Sequence, residues 1–147
     1  MEIERKFLVD SLPSNLEQYT CHVIEQGYLC TAPVVRIRRQ DDTYILTYKS
    51  KGMLAREEYN LPLDEASYFH LRSKADGNLI SKKRYVIPQE DGLKIELDIF
   101  EGSFQGMILA EVEFPTKEAA ESYIPPSWLG KDVTFDPKYH NSYLSTL

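Results

Sequence analysis

The stretch 92-GLKIELDIF-100 alternates without a break: Leu93, Ile95, Leu97 and Ile99 are apolar, and Lys94, Glu96 and Asp98 between them are charged. Successive side chains of a strand leave on opposite faces, so this segment reads as a strand with one apolar and one ionic face. Working outward, the same pattern returns along most of the chain. MEIERKFLV sets Glu2, Glu4 and Lys6 against Ile3, Phe7 and Val9. VRIRR pairs Arg36 with Arg38, ILTYK sets Lys49 beside Thr47, and REEYN aligns Arg56 with Glu58. SKKRYVI aligns Lys82 with Arg84, and AEVEF aligns Glu111 with Glu113.

Strands are predicted at about 2–9, 20–31, 34–40, 43–50, 55–62, 79–87, 93–101 and 107–115, bounded by turn signals such as QDDT, KSKG and QEDG. Between and after them come helix signals. Asp64 caps EASYFHLRSKA, which Gly77 closes; Thr116 precedes KEAAESY, which Pro125 and Pro126 stop; Asp136-Pro137 opens a last short helix carrying YHNSYL. The 147 residues show no repeat and no Gly/Ser-rich linker, which predicts one domain over 1–147. No run approaches the ~20 apolar residues of a membrane span, so the expectation is a cytoplasmic protein with no membrane partner. A net charge of -6 argues against nucleic acid. Cys21 and Cys30 have no metal-ligand spacing and are expected to be buried free thiols.

Apolar/polar alternation usually marks a sheet with one solvent face. Here, however, the charges segregate into acidic pairs (EIE, EVE, ELD) and basic pairs (RIR, KKR). Carboxylates two residues apart on one strand face repel unless a cation lies between them. The sequence therefore predicts a mainly β, α+β fold with flanking helices: an eight-stranded antiparallel barrel turned inside out, with a charged interior. Carboxylates on neighbouring strands suit Mg2+ or Mn2+, and convergent Arg and Lys heads suit a polyanion. Together they point to a polyphosphate held by side chains, since no Gly-rich phosphate loop is present.

E-I-E-R-K at the amino end resembles the E-x-E-x-K signature of the CYTH superfamily, the triphosphate tunnel metalloenzymes. EQGYL, VRIRR, LTYKSKG, REEYNLPL, SKKRYVIP, IELDIFEGSFQG, LAEVEF and VTFDPKYHNSYL follow in the family's order. The resemblance implies an eight-stranded tunnel that hydrolyses inorganic triphosphate or a related terminal phosphoanhydride with Mg2+ or Mn2+. It implies that Glu2, Glu4, Asp98, Glu111 and Glu113 hold metal, and that Lys6, Arg36, Arg38, Lys49, Arg56, Lys82 and Arg84 hold a small triphosphate-containing substrate. Glu111, Glu113 and Lys6 are the expected catalytic residues. Class IV-type adenylate cyclase, thiamine triphosphatase and a non-catalytic polyphosphate- or nucleotide-binding module are the alternatives.

The roles of Glu58, Glu96 and the 138–141 segment are left open, and Asn60 stands where many relatives carry a further Glu. The oligomeric state is open too, a homodimer being one option. His22, His70 and His140 are expected at the surface or its boundary, because they lack metal spacing.

Overall fold

The computed structural model describes residues 1–147. Alternation does in space what it does on paper: the ionic face of each strand turns inward and the sheet curls around it. The strands are β1 (Glu2–Val9), β2 (Thr20–Thr31), β3 (Val34–Gln40), β4 (Thr43–Lys49), β5 (Ala55–Arg56), β6 (Glu58–Leu63), β7 (Asp76–Pro88), β8 (Lys94–Phe100), β9 (Ile108–Glu113) and β10 (Leu129–Asp132). Their order is β10-β1-β9-β8-β7-β2-β3-β4-β6, all antiparallel neighbours, with β5 returning to β1.

The expected strand 55–62 is thus two pieces with two partners. Arg56 lies opposite Glu2 and Ala55 opposite Ile3, while Glu58 lies opposite Lys49 and Leu63 opposite Tyr44. That switch joins the two ends of the sheet and closes the barrel at one corner. The remaining edge of β1 is taken by β10, with Phe7 opposite Asp132 and Val9 opposite Leu129.

The apolar faces form the core on the outside of the barrel. Phe7, Leu97, Ala110, Val112 and Phe114 pack beneath α2 (Lys117–Ser122) and the segment after it. Burying each such side chain is worth about 1.5–3 kcal/mol. Arg5, on the same outer face, tethers that cover: it donates to the carbonyls of Ala120 and Tyr123 at 2.9 and 3.0 Å and pairs with Asp132 at 2.9 Å. On the opposite side α1 (Glu65–Arg72), capped by Asp64, lays a fully buried Tyr68 on Tyr44, with its hydroxyl donating to Glu25 at 2.8 Å.

Inside, an apolar layer of Tyr28, Ile80, Phe100 and Leu109 joins Leu144 of α3 (Asn141–Leu144) and plugs one end of the barrel. No helix is long and apolar enough to cross a membrane.

Several local expectations are corrected. The first helix stops at Arg72, and Gly77 does not close it: Gly77 lies in β7, which starts earlier than expected because the long β2 reaches out and pairs Tyr28 with Asp76. The last helix breaks at His140 into a single turn at Pro137–Tyr139 and α3. β10 was not foreseen, since LGKD does not alternate. Both cysteines are exposed rather than buried: Cys21 lies near the start of β2, opposite Tyr85, and Cys30 is near the β2–β3 turn.

Candidate active site

The barrel encloses a cavity of about 270 Å³ with only three hydrophobic residues among the 22 that line it, so its chemistry is ionic. Glu2, Glu4 and Lys6 come from β1, Arg36 and Arg38 from β3, Lys49 from β4, and Arg56 from β5. β7 adds Arg84, and β9 adds Glu111 and Glu113. Glu58, Glu96, Asn60, His140 and Asn141 join them.

Lys82 and Asp98 point the same way but do not reach the wall. Lys82 is fully buried, with its ammonium 2.7 Å from Asp98 and 5.3 Å from the centre of the Phe100 ring. Asp98 also takes two bonds from Arg84, at 2.7 and 2.9 Å, so both residues brace the floor beneath Arg84. Glu113 departs from the expected burial: it stands exposed at the mouth. Lys138 is exposed and outside the cavity.

Most charges have partners. Lys6 pairs with Glu111 at 3.3 Å and donates to the Tyr139 carbonyl at 3.1 Å. Glu2 receives Lys49 at 2.8 Å and Arg56 at 3.2 Å. Arg84 adds Glu96 at 3.2 Å. Burial opposes the charged form of Glu111, but Lys6 and Arg84 outweigh it and hold the carboxyl well below its usual range. Burial likewise opposes ionised Glu2 and Asp98, and is outweighed by Lys49 for the first and by Arg84 with Lys82 for the second.

Two groups of opposite sign are left over, on opposite walls. Arg36 and Arg38 meet no carboxylate. Arg36 donates only to the Thr47 hydroxyl at 3.3 Å, leaving its Nε without a partner, and Arg38 donates only to Gln26. Burial, with Arg36 and Arg84 alongside, pushes Arg38 down to about 9. Facing them, Glu4 has only a long contact to Arg56 at 3.7 Å; burial together with Glu111 and Glu2 pushes it up to about 8. Partial burial, Glu2 and Glu58 also raise Glu113.

The β3 wall thus carries uncompensated positive charge and the β1/β9 wall uncompensated negative charge. The acidic donors fit a divalent ion: Glu4 stands directly opposite Glu113 in the ladder and Glu96 opposite Glu111, pairings that repel unless a cation lies between them. All these donors are oxygens, the ligands that Mg2+ and Mn2+ prefer. As the side chains stand, no three acidic groups converge on one point, because Glu2, Glu111 and Asp98 are drawn onto neighbouring cations.

Two functional candidates were not legible in the sequence. Gln26 is fully buried behind Arg38, on a strand whose inward face carries Ile24, Gln26 and Tyr28 and no charge to flag it. His140, expected at the boundary, lines the cavity; its Nε2 lies 2.9 Å from the Thr134 carbonyl, and burial, then Lys6, lower its pKa. The break between the Pro137–Tyr139 turn and α3 carries it inward.

The chain is similar to several known proteins. An inorganic triphosphatase of Nitrosomonas europaea is 39% identical over 147 residues, covering 98% of this chain and 96% of that protein. One of Acetivibrio thermocellus is 36% identical over 150 residues, covering 97% and 92%. A solved inorganic triphosphatase superposes with a TM-score of 0.74 at 36% identity, covering 100% of this chain and 95% of that one. A protein from Pyrococcus horikoshii OT3 shares the fold alone, with a TM-score of 0.54 at 22% identity over 82% of this chain and 81% of its own. With the CYTH domain matching residues 1–136 on a barrel whose unpaired arginines face unpaired carboxylates, the chain belongs to the CYTH domain family.

Proposed function

We propose that this protein is a triphosphatase that hydrolyses inorganic triphosphate in its barrel. The carrying observation is the pair of guanidiniums, those of buried Arg36 and half-buried Arg38, that no protein carboxylate neutralises. Guanidinium forks match phosphate oxygens in pairs. Around them Lys6, Lys49, Arg56 and Arg84 spread positive charge along the length of a short polyphosphate. The names of the relatives support the same substrate.

Glu4, Glu111 and Glu113, with Glu2 beside them, would hold Mg2+ or Mn2+. When bound, the ion supplies Lewis acidity toward the phosphoryl oxygens and a neighbouring water. The chain's own groups do the rest. Arg36 and Arg38 fix the anion, holding its oxygens in ground and transition states alike, while Lys49, Arg56 and Arg84 neutralise the charge that spreads over the transferring phosphoryl group. Lys6, held between Glu111 and the Tyr139 carbonyl, stabilises charge on the bridging oxygen as it leaves. Water attacks the terminal phosphorus; one P–O bond forms, the bridging P–O bond breaks, and pyrophosphate departs from orthophosphate. Glu113, exposed at the wet end, takes the proton that water loses. The free thiols of Cys21 and Cys30 suit a reducing compartment, which supports a cytoplasmic location.

Product analysis with Mg2+ tests the reading. Triphosphate is expected to yield orthophosphate and pyrophosphate, and faster than ATP yields orthophosphate. Formation of cyclic AMP and pyrophosphate from ATP would replace it with a cyclase, and binding without turnover would replace it with a binding module.

A further inference from the structure

We infer that Gln26 is a positioning residue for substrate affinity: its neutral amide aims the Arg38 guanidinium at the anion without neutralising it. This rests on the triphosphate reading above. Gln26 is fully buried on β2 and lies directly opposite Arg38 in the β2–β3 ladder. Its Oε1 accepts from both Arg38 Nε, at 2.9 Å, and Arg38 Nη2, at 2.7 Å, so one oxygen holds one edge of the guanidinium and fixes its plane. The edge left over belongs to a residue that lines the cavity, whereas Gln26 itself lies behind the wall.

The choice of an amide is the informative part. The Gln26 Nε2 is buried with no partner, a cost that a stability-driven sequence would remove. A glutamate of the same shape would leave no orphaned N–H and would pair with Arg38 through two charged oxygens, the stronger arrangement. Of the other cations along the wall, Lys6, Lys49, Arg56 and Arg84 have taken that course and contact carboxylates, and Arg36 alone shares the uncompensated state of Arg38. Arg38 is instead left with its full charge, half-buried beside Arg36 and Arg84, where desolvation and the two like charges weaken its hold on its own proton. An oriented but uncompensated guanidinium is poor for the empty protein and good for binding an anion.

The test is steady-state kinetics on triphosphate with Mg2+ for the parent, Gln26→Glu and Gln26→Leu, across a range of salt concentrations, with melting temperatures alongside. Gln26→Glu is expected to raise KM by about 10- to 100-fold with kcat within about threefold, because it removes a charge that holds the substrate in ground and transition states alike. Its KM should depend less steeply on salt, since one fewer net charge faces the anion. Its melting temperature should stay level or rise. Gln26→Leu keeps the charge but frees its direction, so KM rises by a smaller factor and the salt dependence stays that of the parent.

A Gln26→Glu enzyme with KM within threefold of the parent overturns the inference. So does a KM rise with unchanged salt dependence and a lowered melting temperature, the signature of a residue that only supports the fold. If the parent itself neither binds nor hydrolyses triphosphate, the triphosphate reading fails first, before any variant is compared.

Discussion

At the scale of single residues, the cavity divides into charges that are answered within the protein and charges that are not, and the two classes respond differently to substitution. Arg36→Ala removes a guanidinium that has no carboxylate partner, so no buried anion is stranded; KM should rise about 10- to 100-fold while the melting temperature changes little, measurable by kinetics and calorimetry. Glu4→Gln should stabilise the metal-free protein. The carboxyl, moved from its usual 4.5 up to about 8, binds its proton more tightly folded than unfolded, so metal-free stability falls as pH rises from about 4.5 to about 8 and levels off above that. At pH 8 the variant should melt higher by about 3–8 °C, a gain of about 1–2 kcal/mol, and should show a flatter pH dependence. Glu111→Gln should do the opposite. Repulsion between the acidic pairs suggests from sequence that losing either carboxylate of EVE is stabilising, but Glu111 is the ion partner of buried Lys6, and removing it strands that ammonium. Its contribution and that of Asp98 carry the depressed-pKa sign: present above the unfolded carboxylate value and lost as pH falls through the folded one.

At the scale of elements, the segment after β10 matters more than its length suggests. The backbone N–H of Asn78 donates to the Ser145 carbonyl at 2.6 Å, and Gly77 beside it has a φ of 66° with the same carbonyl oxygen where a Cβ would stand. Gly77→Ala should therefore cost about 1–3 kcal/mol and also displace the segment that presents Tyr139 and His140 to the cavity, lowering kcat through Lys6. Asp64→Ala removes the N-cap of α1, whose carboxylate accepts from Ser67 N at 2.7 Å; about 1 kcal/mol of stability should be lost with kcat and KM unchanged. The contrast shows what sequence could and could not convey. Seven of the eight expected strands were legible as single strands and the eighth, 55–62, as two that read as one, since a period of two survives in the one-dimensional string; ten of the twelve expected site residues line the cavity. Depth was not legible: Lys82 and Asp98 share a face with Arg84 yet lie beneath it, because their ladder partners Phe100 and Leu109 belong to the apolar plug. Nor could β10 or Gln26 be read, because one pairs without alternation and the other works through the neutrality that pattern searches pass over.

At the scale of the whole molecule, the barrel is closed by very little backbone. Only Glu2–Arg56 and Ile3–Ala55 pair across the junction of β1 and β5, joined by the Glu4 N–H donating to the Leu54 carbonyl at 3.1 Å. The clasp over that junction is Glu2, whose two oxygens grip Lys49 and Arg56. These are the same cations a polyphosphate would recruit. Loading the chamber is thus a tug-of-war over the seam, and amide hydrogen exchange can follow it. The Glu4 amide should exchange faster than those in the middle of β7 or β8. Triphosphate alone, by drawing Lys49 and Arg56 off Glu2, should quicken it further. Triphosphate with Mg2+, which binds the freed carboxylate wall to the basic one through the ligand, should slow it below the empty protein's rate. The enzyme would then breathe at its seam when half-loaded and lock when complete, so that the substrate and the ion together become the last stave of the barrel.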